Sequence, residues 1–97
     1  MNKKFELGQV IATRGVHQLM NEDGDFYAFV MCSLGRHATG DWGDLDPEDA
    51  KLNDTALASG EDRIFSVYKR EGIHDGKIWI ITEWDRSVTT VLFPSEY

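Results

Sequence analysis

Apolar residues in the C-terminal third of the chain follow the two-residue period of β-strands. Residues 63–70 divide into two alternating sets of side chains, and residues 77–84 are almost continuously apolar. Alternation predicts a strand, and a continuous run predicts a central strand that is covered on both faces. A third run, residues 88–93, stops at Pro94, which cannot donate to a strand ladder. We therefore predict a three-stranded antiparallel meander.

The second and third of these runs are joined by a tight turn at Asp85-Arg86, which fixes their register. The opposed pairs are then Trp79 with Leu92, Ile80 with Val91, and Thr82 with Thr89. One face receives Ile78, Ile80, Val91 and Phe93, and the other receives Trp79, Ile81, Val88 and Leu92. Because both faces are apolar, we expect helices to cover one and either more of the chain or a second copy to cover the other. The pattern thus favours a homodimer.

The N-terminal half predicts a short strand and three helices. The strand is residues 9–12, and the first two helices are residues 14–20, capped by Thr13, and residues 25–37, capped by Asp25, with a turn at residues 21–24 between them. The third helix has Asp46 as its N-cap, Pro47 at its first position and Gly60 at its end. We predict one α+β domain over residues 1–97, with an antiparallel sheet of the C-terminal meander plus the N-terminal strand, and about three helices on one face.

Charge is concentrated in one segment of the chain. The 97 residues carry 10 Lys and Arg against 17 Asp and Glu, a net charge of −7. One segment holds eight acids and a single base, Lys51, and so accounts for all of that charge. We call these acids the acidic band: Asp41, Asp44, Asp46, Glu48, Asp49, Asp54, Glu61 and Asp62. It repels nucleic-acid phosphates and attracts basic protein surfaces, or it is a solvated helix face that aids solubility.

Several classes of protein do not fit this sequence. The single cysteine, Cys32, excludes an intrachain disulfide and a zinc site built from thiolates. The sequence begins without the apolar stretch of a signal peptide, and no apolar run is long enough to span a membrane. We expect a cytoplasmic protein with no cofactor and no metal. The spacing of Asp41, Asp44, Asp46 and Asp49 does not match a calcium loop.

One constellation of residues has the composition of a hydrolytic site. His37 as a base, Asp41 to orient it and Arg86 to stabilise phosphate charge form a chemically sufficient set for a small metal-independent hydrolase or nuclease. Each residue also has an ordinary structural explanation. His37 lies at the predicted C-terminus of a helix, where positive charge is favoured, and Arg86 lies at a hairpin tip, where it is exposed or pairs with the acids.

Trp42 lies between two glycines and has two interpretations. It either anchors the loop by burying its ring or is an exposed recognition residue. The first interpretation predicts a half-buried ring, with Asp41 or Asp44 bound to nearby backbone N–H groups or to Arg36, His37 or Arg86. The second makes the segment an interface, whose candidate residues are Trp42, Asp41, Asp44, Asp46, Glu48, Asp49 and Arg86.

Nearly the whole chain resembles one family of small bacterial proteins encoded on plasmids, integrative elements and phages. The segments that carry the resemblance are residues 7–15, Arg36-His37, Gly40-Asp41-Trp42-Gly43-Asp44-Leu45, Asn53-Asp54, residues 78–83 and Asp85-Arg86-Ser87-Val88-Thr89-Thr90-Val91-Leu92-Phe93-Pro94-Ser95-Glu96-Tyr97. The family is often labelled plasmid-related protein or, by transfer, type I restriction endonuclease subunit M. The sequence lacks a methyltransferase glycine motif, so the restriction label cannot be literal. The resemblance implies an accessory gene of a mobile element and supplies no catalytic residue.

Three functional hypotheses follow from the sequence. The first is a non-enzymatic interaction protein that inhibits or modulates a host defence enzyme or a nucleic-acid-processing enzyme, with the acidic band as its main support. The second is the hydrolase or nuclease that uses His37, Asp41 and Arg86. The third is a structural or regulatory protein whose ligand is not specified by the sequence.

The charge distribution predicts that the chain does not bind nucleic acid directly. A labelled DNA duplex at low salt, where electrostatic binding is strongest, should migrate in a gel with unchanged mobility when the protein is added. A salt-sensitive retardation at micromolar protein would contradict this prediction.

Overall fold

The computed structural model describes residues 3–97, which form three α-helices and four β-strands. In chain order these are β1 (Gln9–Ala12), α1 (Arg14–Glu22), α2 (Gly24–Ala38), α3 (Pro47–Ser59), β2 (Ile64–Lys69), β3 (Lys77–Thr82) and β4 (Val88–Leu92). Short 3-10 turns lie at His74–Gly76, between β2 and β3, and at Pro94–Glu96, after β4. The α+β class is confirmed. No helix within residues 3–97 is long and apolar enough to cross a lipid bilayer.

The sheet has the strand order β1-β4-β3-β2, and its pairing is mixed. The meander β2-β3-β4 is antiparallel as predicted, but β1 pairs with β4 in parallel, so the prediction of a wholly antiparallel sheet was wrong. Parallel strands require a long crossover, and all three helices lie in the sequence between β1 and the meander. Hydrophobic periodicity carries no information on strand direction, which explains the error.

The register of the β3-β4 hairpin is the one predicted from its turn. Trp79 pairs with Leu92, Ile80 with Val91, and Thr82 with Thr89. The predicted assignment of residues to faces follows, because paired residues point to the same side of a sheet. Ile78, Ile80, Val91 and Phe93 are all buried in one cluster.

Helices cover that face of the sheet, as predicted. Val16 of α1 and three residues of α2, namely Phe26, Val30 and Leu34, pack against Tyr68 and the hairpin. A second cluster lies where α3 meets β2, and it contains Trp42, Ala56 and Ile64, with Phe5 packed against it. Ile64 and Tyr68 are an even number of residues apart along β2, so both clusters lie on one face.

Two helix boundaries differ from the predicted ones. The turn predicted at residues 21–24 is absent from the described chain, because α1 continues to Glu22 and α2 begins at Gly24. Asp23, not Asp25, caps α2: its carboxylate accepts from the N–H groups of Asp25 and Phe26, at 2.9 and 3.2 Å. The same residue's N–H closes α1 on the carbonyl of Leu19, so one residue ends one helix and begins the next.

The ends of α1 and α3 agree with the sequence in position but not in side-chain contacts. Thr13 precedes α1, yet its hydroxyl donates to Glu96 and does not cap the helix. Asp46 precedes α3 without a side-chain cap hydrogen bond, while Gly60 ends that helix in the left-handed conformation, with φ of 71°. The Glu96 carboxylate also accepts from the Gly15 N–H at 2.8 Å, so the C-terminal segment supplies the acceptor at the start of α1.

The second face of the sheet is covered in part by the chain's own C-terminus. The Trp79 ring lies edge-on to Tyr97 at 5.8 Å and to Phe65 at 5.2 Å, measured between ring centroids. Ile81 and Leu92 on this face are buried. Tyr97 itself is 73% exposed, so the cover on this face is incomplete. A homodimer that uses this face stays a prediction.

Candidate functional site

His37 is fully buried at the C-terminal end of α2, beneath the sheet's helix-covered face. Its Nδ1 lies 2.6 Å from the Ser66 hydroxyl on β2, and its Nε2 lies 2.9 Å from the Thr82 hydroxyl on β3. Thr82 contacts the Thr89 hydroxyl on β4 at 2.7 Å, and Thr89 donates to the carbonyl of Leu7 at 2.6 Å. We call this chain of five groups the His37 network.

The direction of every hydrogen bond in the His37 network follows from its last member. A carbonyl only accepts, so the Thr89 hydroxyl donates its proton to the Leu7 carbonyl and must accept a hydrogen bond from Thr82. Thr82 then accepts from His37 Nε2–H. The neutral imidazole has its acceptor at Nδ1, which receives the Ser66 hydroxyl. The Leu7 carbonyl therefore fixes a proton on Nε2, and in the neutral ring Nδ1 is the acceptor for the Ser66 hydroxyl.

The surroundings of His37 hold it in that neutral form. Phe5 and Trp42 lie edge-on to the imidazole, with centroid distances of 5.2 and 6.0 Å. Burial lowers the pKa of His37 to about 3, because the charged ring would lose its hydration. With both nitrogens engaged and no solvent exposure, His37 is a structural residue and has no access to a substrate.

Asp41, the second candidate, lies on the surface and forms a two-point ion pair with Arg36. The Arg36 guanidinium donates to the two carboxylate oxygens at 2.7 and 3.2 Å, and the Gly43 N–H donates to the same carboxylate at 3.1 Å. The hydrogen bond from Arg36 is the main cause that lowers the pKa of Asp41. This pairing confirms the expectation that Asp41 binds Arg36 and a backbone N–H.

Arg86 contacts backbone carbonyls instead of acidic side chains. Its guanidinium donates to the carbonyls of Asp62 at 2.6 Å and Ala56 at 3.2 Å, and to those of Glu83 and Trp84 in its own hairpin. Arg86 thereby ties the β3-β4 turn to the end of α3. The expected pair with the acids of residues 41–49 does not form among the described residues, and the Arg86 side chain is only partly exposed, because four backbone carbonyls take up its donors.

These contacts place His37, Asp41 and Arg86 in three separate hydrogen-bond networks. The His37 imidazole is buried in the core, the Asp41 carboxylate is ion-paired at the surface, and the Arg86 guanidinium donates to backbone carbonyls. The base, the orienting carboxylate and the cation of the hydrolase hypothesis therefore do not act on one point.

The loop at residues 40–45 closes the outer edge of β2. Val67 N–H donates to the Trp42 carbonyl at 3.3 Å, and Val67 C=O accepts from Asp44 N–H at 2.7 Å. The Asp44 carboxylate accepts from Lys69 N–H at 2.9 Å. The Trp42 ring is only 8% exposed and donates through Nε1 to Asp54 at 3.3 Å. The anchor interpretation of Trp42 is confirmed, and so is the expected role of Asp44.

Asn53, to which the sequence assigned no structural role, extends this closure along β2. Its side-chain amide donates to the Phe65 carbonyl at 2.6 Å and accepts from the Phe65 N–H at 3.1 Å, as a neighbouring strand would. Asn53 is 3% exposed although it lies in a helix interior. A residue of low helix propensity on the inner face of a helix was the available signal.

The acidic band is exposed to solvent. All eight of its acidic residues are exposed. Among the described residues, Asp41 is the one member that forms an ion pair. The negative charge of the segment is therefore almost wholly presented to solvent.

The described residues 3–97 contain no group of three or more His, Cys, Asp or Glu side chains placed to hold a metal ion. Comparison with known proteins found no matching family model, no matching curated protein and no matching solved structure.

The close approach of the loop to β2 predicts a large cost for a side chain at Gly43. Its φ is 70°, and a Cβ there would lie 2.1 Å from the Val67 carbonyl oxygen. Gly60 has nearly the same φ, 71°, with open space around it, and is the matched control. Gly60→Ala should cost about 1–2 kcal/mol of left-handed strain, and Gly43→Ala should cost clearly more, measured by urea unfolding. Equal losses would show that the loop does not contact β2 closely.

His37 predicts that the folded state becomes less stable in weak acid. Its pKa falls from 6.5 in the unfolded chain to about 3 in the folded one. As the pH falls, His37 therefore binds a proton in the unfolded state before it does so in the folded state. The contribution of the neutral ring to the free energy of unfolding is fully present above about pH 6.5 and declines below it. The slope contributed by His37 should be about 1.4 kcal/mol per pH unit between about pH 6 and pH 4.5.

The matched variants for this measurement are His37→Gln and His17→Gln, the latter on an exposed side chain. Urea unfolding across that pH range should show a flattened slope for His37→Gln and an unchanged slope for His17→Gln. Carboxylates with lowered pKa values, such as Asp41 and Glu96, contribute to the slope toward the acidic end of this range. Both variants retain these carboxylates, so the difference between the two slopes reports His37. The same slope in both variants would be inconsistent with a buried neutral His37.

Proposed function

We propose that this chain is a non-enzymatic interaction protein that binds a basic protein surface through its acidic band. The observation that carries the proposal is the exposure of all eight acids, of which only Asp41 is ion-paired among the described residues. Unneutralised charge of one sign steers and orients a partner of the opposite sign.

The exposed side of α3 supports a contact that is more than electrostatic. Leu52 is 67% exposed and lies one turn after Glu48 and Asp49 on the same helix. Leu52 lines a groove of about 430 Å³ together with two acids, Asp49 and Asp62, one base, Arg63, and the ring of Phe65. Apolar side chains at the centre of a charged rim are the usual anatomy of a protein interface.

The partner class follows from the charge of the band. Enzymes that act on nucleic acid present clustered Lys and Arg for the phosphates, and a band of carboxylates competes for the same cations. We infer an inhibitor or modulator of a host defence enzyme or another nucleic-acid-processing enzyme. The mobile-element context that the resemblance implies is consistent with such a role.

The burial of the most reactive candidate also favours an interaction protein over the hydrolase or nuclease alternative. That alternative requires His37 to meet a substrate, whereas His37 has both nitrogens engaged inside the core. A structural or regulatory protein without a basic partner remains the competing hypothesis, and it predicts that the acidic band is a solvated surface alone.

Charge reversal within the band should abolish partner binding. We would capture partners from a bacterial host lysate with the native chain and with the double variant Glu48→Lys, Asp49→Lys. The control is Glu71→Lys, Glu83→Lys, which changes the net charge equally at exposed acids outside the band. Each charge reversal in the first pair removes a favourable helix-dipole interaction and adds an unfavourable one, which together cost at most about 2 kcal/mol per residue.

The expected result is a partner that the native chain and the control retain, that the band variant loses, and that rising salt or excess duplex DNA releases. A partner retained equally by both variants would exclude the band as the interface. A partner that duplex DNA fails to displace would exclude a nucleic-acid-binding surface as the target.

A further inference from the structure

The two edges of the sheet differ in how they are protected. The outer edge of β2 is closed by Trp42, Asp44 and Asn53, as described above. β1 forms the other edge and pairs with β4 on its inner side; at the two ends of this pairing, Gln9 N–H donates to the carbonyl of Ser87 and Thr13 N–H donates to the carbonyl of Val91. In a parallel ladder alternate residues face the neighbouring strand, so the backbone groups of the residues between point outward.

Those outward groups belong to Val10 and Ala12. The hydrogen bonds of the described residues give them no partner on the outer side. Val10 is 45% exposed and Ile11 is 43% exposed, which is high for β-branched apolar residues in a strand. An open edge with apolar side chains is a template for pairing with another strand.

An apolar groove of about 720 Å³ runs along this open edge, between β1 and α2. Its apolar walls include Val10 and Ala12 of β1 and Val30, Met31 and Leu34 of α2. Met31 is 48% exposed. The titratable groups of the lining are Lys3 and His17, and it contains no acid. The groove is thus an acid-free surface on a chain of net charge −7.

The layout of charge selects a second copy of this chain as the occupant. The acidic band belongs to the β2 side of the sheet, because α3 packs on β2 and the loop at residues 40–45 lines its edge. Two copies joined at β1 would hold their bands at opposite ends of an eight-stranded sheet, about 34 Å apart. That separation is several Debye lengths at physiological salt, so the bands scarcely repel. Contact through α3 would bring them together.

We propose that two copies of the chain pair antiparallel through β1, around a two-fold axis at Ile11. Val10 of one copy then lies opposite Ala12 of the other, and each such pair exchanges two backbone hydrogen bonds. The two Ile11 side chains meet across the axis as a close, non-hydrogen-bonded pair. This interface is isologous, so each copy supplies the same strand. It also leaves both acidic bands free for the proposed partner and does not depend on that function.

The oligomeric state of matched variants tests the proposal. Light scattering of the native chain should report twice the 11.0 kDa of one chain. Ile11→Lys places a charge on the axis and should raise the dimer dissociation constant by more than about tenfold, since both copies lose a buried Ile contact. Leu52→Lys changes the charge equally at an exposed residue of α3 and should leave the dimer intact.

Hydrogen exchange of the native chain gives a measurement that does not depend on a variant. The amides of Val10 and Ala12 should exchange more slowly as the protein concentration rises, whereas those of Gln9 and Ile11, already bonded to β4, should not change. A monomer at all concentrations would overturn the proposal. So would a dimer that survives Ile11→Lys and is lost in Tyr97→Ser, because such a dimer would use the second face of the sheet.

Discussion

The fold depends on the hydrogen bonding of one buried imidazole. His37 comes from α2, and the groups that satisfy it come from β2, β3, β4 and the segment before β1, so a single network joins five parts of the chain. An unpaired polar atom in the core costs about 1–3 kcal/mol. A slip of β2 by one residue would replace Ser66 by Phe65 or Val67 and leave Nδ1 of the ring without its hydroxyl partner. The His37 network therefore specifies register where apolar packing alone would tolerate alternatives.

A second constraint is that the backbone N–H and C=O groups at the two edges of the sheet need hydrogen-bond partners. At β2 the chain supplies a loop and a side-chain amide that together act as a fifth strand, and this accounts for the Gly-Asp-Trp-Gly-Asp segment in structural terms. Gly43 permits the approach to Val67, Trp42 anchors the loop, and Asp44 bonds Lys69. The same loop carries acids of the band, so closing this edge also places negative charge along it. At β1 no comparable cover exists among the described residues, and the surface there is apolar.

This division of the surface relates the structure to both proposals. Charge at the β2 side and apolar surface at the β1 side are separated by the width of the sheet, so each is free to contact a different molecule. Negative charge favours a basic partner and disfavours self-association, whereas the acid-free groove favours self-association. The buried imidazole of His37 stabilises the fold and is not open to a substrate. This burial is consistent with a chain that acts through contacts of its surface.

Local patterns in the sequence determined the elements and much of their packing. The turn at Asp85-Arg86 fixed the hairpin register, and the apolar alternation of β3 and β4 identified the face that the helices cover, because neighbouring residues along the chain set both features. The loop's own composition offered burial of Trp42 as one of two interpretations, and the structure shows that the ring is buried. Only the tertiary structure decided the parallel direction of β1, the enclosure of His37 by Ser66 and Thr82, and the use of Arg86 and Asn53 by distant backbone. These features depend on which donors and acceptors meet across long sequence separations, and a side chain's partners are set by where the whole chain folds, not by its neighbours in sequence.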